Sequence, residues 1–100
     1  MAEGVVARVS NEIKKDIEFF AKEGQTDKST IIRQLLTSAV RQKRLEYALK
    51  EYSERNVSLG RAAELAKMHL SDFMMEAAKH NIPMNYSKDE LTRDFKAVFG

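Results

Sequence analysis

The sequence predicts a mainly α-helical chain with one short β-strand at its start, and that strand needs a second copy of the chain to pair with. Three observations lead there. In "VVARVS", residues 5–10, Val5, Ala7 and Val9 alternate with Val6, Arg8 and Ser10, the period-two pattern of a strand. From residue 11 onward apolar side chains return every three or four positions, the period of helices. The helices offer the strand no partner, yet its backbone donors and acceptors must pair with something. Two copies paired antiparallel across a twofold axis satisfy them.

The elements follow in order. Ser10 or Asn11 caps a first helix with acidic Glu12 in its first turn. Ile13, Ile17, Phe20 and Ala21 form its apolar stripe, and Gly24 supplies the stop. Asp27 caps a second helix carrying Ile32, Leu35, Leu36, Ala39 and Val40 on one face. Neither Gly nor Pro interrupts residues 25–59, so this helix can run to about Arg55. Its stripe changes phase, however, because Leu45, Leu49 and Tyr52 lie roughly opposite Leu36 and Val40. Either the helix breaks near Gln42–Lys43, or one long helix buries a different face in each of two modules. Both alternatives put a boundary near residues 42–44, giving an N-terminal domain over 1–43 and a C-terminal helical module over 44–100.

In the second module Asn56 ends the helix and Ser58 caps the next, which carries Ala62, Ala63, Leu65 and Ala66. A turn near Lys67–Met68 leads to a helix with Leu70, Phe73, Met74 and Ala77 inward, stopped by Asn81 and Pro83. "PMNYS" is extended, and a capping box from Ser87 to Glu90 starts a last helix.

Composition narrows the function classes. A chain of 100 residues builds a modest core, which favours an oligomer. Without cysteine it has no disulfide and no thiolate metal site, which suits a reducing, cytoplasmic setting. No run resembles a signal peptide or a membrane span, so no membrane partner is expected. Lys28, Arg33, Arg41, Lys43 and Arg44 face a single acid, Asp27, within residues 26–44, whereas acids and bases balance over residues 56–100. That local excess is either an electrostatic footprint for nucleic acid or a solvated helix face.

The paired strands would set Val5, Ala7 and Val9 over the helices, where with Ile13, Ile17, Phe20, Ile32, Leu35, Leu36 and Ala39 they form a dimer core. Val6 and Arg8 would stand outward on a ribbon that fits the major groove of double-stranded DNA. The second helix would aim Lys28, Ser29 and Thr30 at flanking phosphates.

The stretch "VVARVSNEIKKDIEFFAKEGQTDKSTIIRQLLTSAV", residues 5–40, resembles the ribbon-helix-helix DNA-binding proteins of the CopG/Arc/MetJ superfamily. The likeness covers residues 4 to about 42. It rests on strand length, the strand-to-helix step at Val9–Ser10, the length of the first helix and "DKSTI" opening the second. It implies a homodimer of intertwined chains, with Gly4, Val6 and Arg8 at the base-contacting positions. Members of that superfamily usually offer two or three polar readers per strand. Here only Arg8 is a strong one, which shifts specificity towards DNA shape.

The second half, "SLGRAAELAKMHLSDFMMEAAKHNIPMNY", has a helix-turn-helix outline, but its second helix presents Ser71, Asp72, Met75 and Glu76 and its turn lacks the usual glycine. Acids are repelled by phosphate, so a packing module is the expected role. The segment also resembles small VapB-like antitoxin-type proteins, which read roughly S-L-x-x-A-A-E-L-A. That resemblance implies a transcriptional repressor that is the antitoxin of a type II toxin–antitoxin pair, with a PIN-domain ribonuclease as the toxin. Met84, Tyr86, Leu91, Phe95, Val98 and Phe99 are the residues it would offer a partner.

An enzyme is not expected. His69 and His80 lie eleven residues apart with no acid arranged to complete a metal set, and neither a phosphate-cradling loop nor a nucleophile motif is present, so no cofactor or metal is called for. The rival to a DNA reader is a dimeric adaptor whose C-terminal module binds a protein partner without DNA. Arg8 and the Lys28–Thr30 helix start separate the two, since only the DNA reader needs both.

Overall fold

The computed structural model describes residues 3–83. They form four helices: α1 (Asn11–Glu23), α2 (Lys28–Ser53), α3 (Leu59–Ala66) and α4 (Leu70–Lys79). The predicted strand is not there. Residues 3–10 have no ladder and are exposed throughout, and no strand or sheet occurs among the described residues. This overturns the ribbon-helix-helix fold, whose paired strand is missing. A strand exists only through a neighbour's backbone groups, and in this chain those groups are already paired inside helices. The alternation of Val5, Ala7 and Val9 with Val6 and Arg8 therefore sorts nothing, because every one of these residues is exposed.

The chain divides into two compact units, Met1–Ser38 and Ala39–Gly100. In the first, Ser10 caps α1 by accepting the Ile13 N–H at 3.2 Å. Asp27 caps α2 by accepting the Thr30 N–H at 2.8 Å, and its carboxyl is held below its ordinary pKa, chiefly by those Thr30 hydrogen bonds and then by the Arg33 charge. The α2 helix runs unbroken through residues 42–44, which settles the open question of its continuity. Thr37 returns a hydroxyl hydrogen bond to the Arg33 carbonyl at 2.8 Å and sits in the helix without disrupting it.

The second unit contains a true core. Leu45, Ala48, Leu49 and Tyr52 of α2 pack with Leu59, Ala62, Ala63 and Ala66 of α3 and Leu70, Phe73 and Ala77 of α4. Alanines line much of α3 and let neighbouring backbones approach closely, while Phe73 and Leu59 are the largest side chains buried completely. Burying two such side chains stabilises the unit by roughly 1.5–3 kcal/mol each. The Phe73 ring meets Tyr52 edge to face, with centroids 6.1 Å apart. Ser58 caps α3 by accepting the Arg61 N–H at 3.1 Å. At the other end of α3, the Arg44 guanidinium donates to the Leu65 carbonyl at 2.9 Å, placing a cation at the negative end of the helix.

All four helices close in the same way. A left-handed residue follows each: Gln25, Arg55, Lys67 and Asn81, with φ between 52° and 61°. Its N–H bonds back three residues, and the next N–H bonds back five, as in Met68 to Ala63 and Lys67 to Glu64, both 3.0 Å. These are Schellman closures, and none uses glycine. The expected stop at Gly24 is displaced by one position, since Gly24 has φ −84° and Gln25 makes the turn. Arg55 likewise makes the turn expected of Asn56. The Ser87–Glu90 capping box and the last helix lie outside the described residues.

Candidate functional site

Three regions bear on function: the exposed segment 3–10, the apolar surface of the first unit, and the α3–α4 pair. In the first, Val6 is 97% exposed and Arg8 is also in the open. A Cβ added to Gly4 would meet nothing within 4 Å. The three base-contacting positions thus lie on an uncovered stretch of chain rather than on a ribbon.

The expected phosphate site is partly occupied by the protein itself. The Thr30 amide is taken by the Asp27 carboxylate, and the Thr30 hydroxyl accepts from Arg33 at 3.2 Å. Lys28 lies 3.8 Å from Glu18, both side chains about half exposed. Ser29 is exposed. An anion fixed at the α2 N-terminus opposes a second anion there, so the helix start at Lys28–Thr30 is a poor cradle for phosphate.

The apolar surface of the first unit is more informative. Ile13 and Phe20 on α1 and Ile32, Leu35 and Leu36 on α2 are between 40% and 52% exposed. Ile17 is half-buried, Ala39 is exposed, and Val5, Ala7 and Val9 are exposed as well. Within Met1–Ser38 the described buried residues are Ala21 and Ile31 alone. All of the residues assigned to a dimer core except Ile17 are thus exposed in this chain.

In the α3–α4 pair, a three-residue turn (Lys67, Met68 and His69) joins the helices, and Lys67 adopts the left-handed conformation where a glycine was expected. Leu70, Phe73 and Ala77 point inward, Met74 is half-buried, and Ser71, Asp72 and Met75 are exposed. Glu76 accepts from Lys79 at 3.2 Å. Sequence patterning had no signal for the Lys67 conformation, because lysine is not a turn residue. Patterning also missed the Arg44–Leu65 contact and the exposed Phe19 and Tyr47.

A cleft of about 390 Å³ is lined by Tyr52, Arg55, Asn56, Val57, Ile82 and Pro83. No group of three or more His, Asp or Glu residues suited to a metal occurs among the described residues. No helix among them is long and apolar enough to cross a membrane. Met84, Tyr86, Leu91, Phe95, Val98 and Phe99, the expected partner-binding residues, lie outside the described residues.

The chain is similar to two curated proteins, both described as UPF0175 protein. One, from Archaeoglobus fulgidus, is 38% identical over 69 residues, covering 63% of this chain and 79% of that protein. The other, from Aeropyrum pernix, is 36% identical over 55 residues, covering 55% of this chain and 62% of that protein. No solved structure matches. The family described as "Uncharacterised protein family (UPF0175)" matches from Arg8 to the last residue, 8–100, across both units, and the chain belongs to it.

Proposed function

We propose that this protein is a homodimeric, DNA-binding transcriptional repressor of the antitoxin type, assembled through the apolar surface of its first unit. The observation that carries the reading is the contrast between that surface and what it covers. A unit that buries only Ala21 and Ile31 while holding Ile13, Phe20, Ile32, Leu35 and Leu36 half in water lacks a core of its own. A second copy supplies one. Val9, 55% exposed, adds to the apolar area that a second copy would cover. Acids and bases balance over residues 3–38, so charge selects no other partner for this surface. DNA binding is supported by Arg33, Arg41 and Lys43, exposed along α2. The antitoxin role, with a PIN-domain ribonuclease as partner of residues 84–99, rests on the resemblance of the second half to VapB-like proteins.

Light scattering on the purified protein and titration with DNA from upstream of its own gene test both parts. The expected mass is twice the 11.4 kDa of the chain, and the expected binding exceeds that to scrambled DNA of equal length and weakens with salt. A monomer at micromolar concentration overturns the dimer. Equal affinity for both DNAs overturns the repressor.

The adaptor reading is favoured by one observation, the Asp27 carboxylate seated at the α2 N-terminus. A dimer that ignores DNA altogether is its signature.

A further inference from the structure

We infer that α3, the Lys67–His69 turn and α4 form the element that reads double-stranded DNA, with Ser71, Asp72 and Met75 set towards base edges in the major groove. The inference rests on the DNA-binding reading above and names the site within it.

The geometry is that of a helix-turn-helix: an eight-residue helix, a three-residue turn and a ten-residue helix. Its rigidity comes from buried contacts and a hydrogen-bonded turn. Leu70, Phe73 and Ala77 lock one side of α4 into the core, which fixes the opposite side outward. Two backbone hydrogen bonds at 3.0 Å, from Lys67 to Glu64 and from Met68 to Ala63, hold the turn. The missing glycine, which spoke against this motif in the sequence, is no obstacle, because Lys67 itself takes φ 56°.

The outward residues have the chemistry of base readers. A carboxylate such as Asp72 accepts from cytosine N4, a serine hydroxyl donates or accepts, and an apolar side chain such as Met75 packs on a thymine methyl. Met75 is 61% exposed, a large apolar side chain left in water. The acids are less of a barrier than their number suggests. Glu76 is neutralised by Lys79 at 3.2 Å, leaving Asp72 as the unbridged acid of the helix. Lys67 in the turn is exposed beside the reading residues, where the phosphates line the groove. The N-terminal alternative is weaker on each count, since Arg8 sits on no scaffold and Asp27 occupies the start of α2.

The test compares full-length variants on the upstream DNA and on scrambled DNA, each first checked for unchanged helical content by circular dichroism. Met75→Ala and Asp72→Asn are expected to weaken binding to upstream DNA by about 5- to 100-fold, the loss of one base contact, while binding to scrambled DNA stays unchanged for Met75→Ala and is at least as strong for Asp72→Asn, which removes an acid. Asp72→Asn should also move preference at one position of the site from cytosine to adenine, since an amide pairs with adenine N6 and N7. Lys67→Gln should weaken both DNAs together. If wild type prefers upstream DNA but only Arg8→Ala abolishes that preference, the inference fails and the N-terminal segment is the reader. If wild type shows no preference at all, the repressor reading falls and this inference with it.

Discussion

The two units of this chain carry similar apolar sequence and bury it very differently. In Ala39–Gly100, the stripes of α2, α3 and α4 converge on Phe73 and Leu59, and eleven buried side chains form one cluster. In Met1–Ser38, stripes of the same kind on α1 and the start of α2 stay half in water. Periodicity marks which side chains avoid solvent but not what covers them. A third helix is enough to close the second unit, and two are too few for the first. A helical hairpin with good stripes and no core of its own is where the proposed dimer interface would lie.

The largest effect should come from opening the core of the second unit. Phe73→Ala removes a fully buried ring and is expected to cost about 3–5 kcal/mol, read as a large fall in the urea midpoint. An unchanged midpoint would mean the second unit is not the stable part. Next comes the opposite experiment on the first unit. Leu35→Lys with Leu36→Lys should leave the urea transition of the second unit in place, because these side chains are half exposed in the single chain. Their cost should appear in assembly, as a fall from dimer to monomer mass by light scattering. If the double variant instead unfolds the second unit, the contrast between the units is lost.

A smaller, stabilising effect is expected at the helix closures. Lys67→Gly relieves a left-handed lysine and should raise stability by about 1 kcal/mol in thermal or urea melts. The smallest effect belongs to Asp27. Its folded-state pKa lies below the ordinary value, so its contribution is present above the unfolded value near 3.8 and is lost as pH falls through the lower folded value. Following the Asp27 carboxyl by NMR should give a titration midpoint below 3.8, moving back up in Thr30→Pro, which lacks the capped N–H. A midpoint at the ordinary value would remove the cap from the account of α2.

Much of this was legible in the sequence. Ser10, Asp27 and Ser58 cap the helices they were expected to cap, because a short oxygen-bearing side chain before an apolar-periodic run has few other uses. Leu45, Leu49, Tyr52, Leu70, Phe73 and Ala77 were expected inward and are buried. The strand was misread, since a period of two in five residues describes side chains and says nothing of the backbone partner a strand needs. The continuity of α2 could not be read either, because a stripe that changes phase fits a break and a long helix equally well. Turn chemistry was off by one residue at Gly24 and Asn56, where glutamine and arginine took a conformation that glycine or asparagine would adopt more cheaply. On α4, Ser71, Asp72 and Met75 lie outward as the pattern predicts, and the turn before them forms without the glycine whose absence, with the acids, counted against a helix-turn-helix.

Those closures have a consequence for how hard this protein is to keep intact. The left-handed Gln25, Arg55 and Lys67 each hold roughly 1 kcal/mol of backbone strain, Asn81 less, and together they amount to a sizeable part of the ~5–15 kcal/mol that separates a small folded domain from its unfolded chain. A glycine at Gln25 or Arg55 would return some of that while leaving the buried core untouched. The natural sequence leaves this reserve undrawn at Gln25, Arg55 and Lys67. Its fraction unfolded at any moment is correspondingly higher, and with it the rate at which cellular proteases find an open chain.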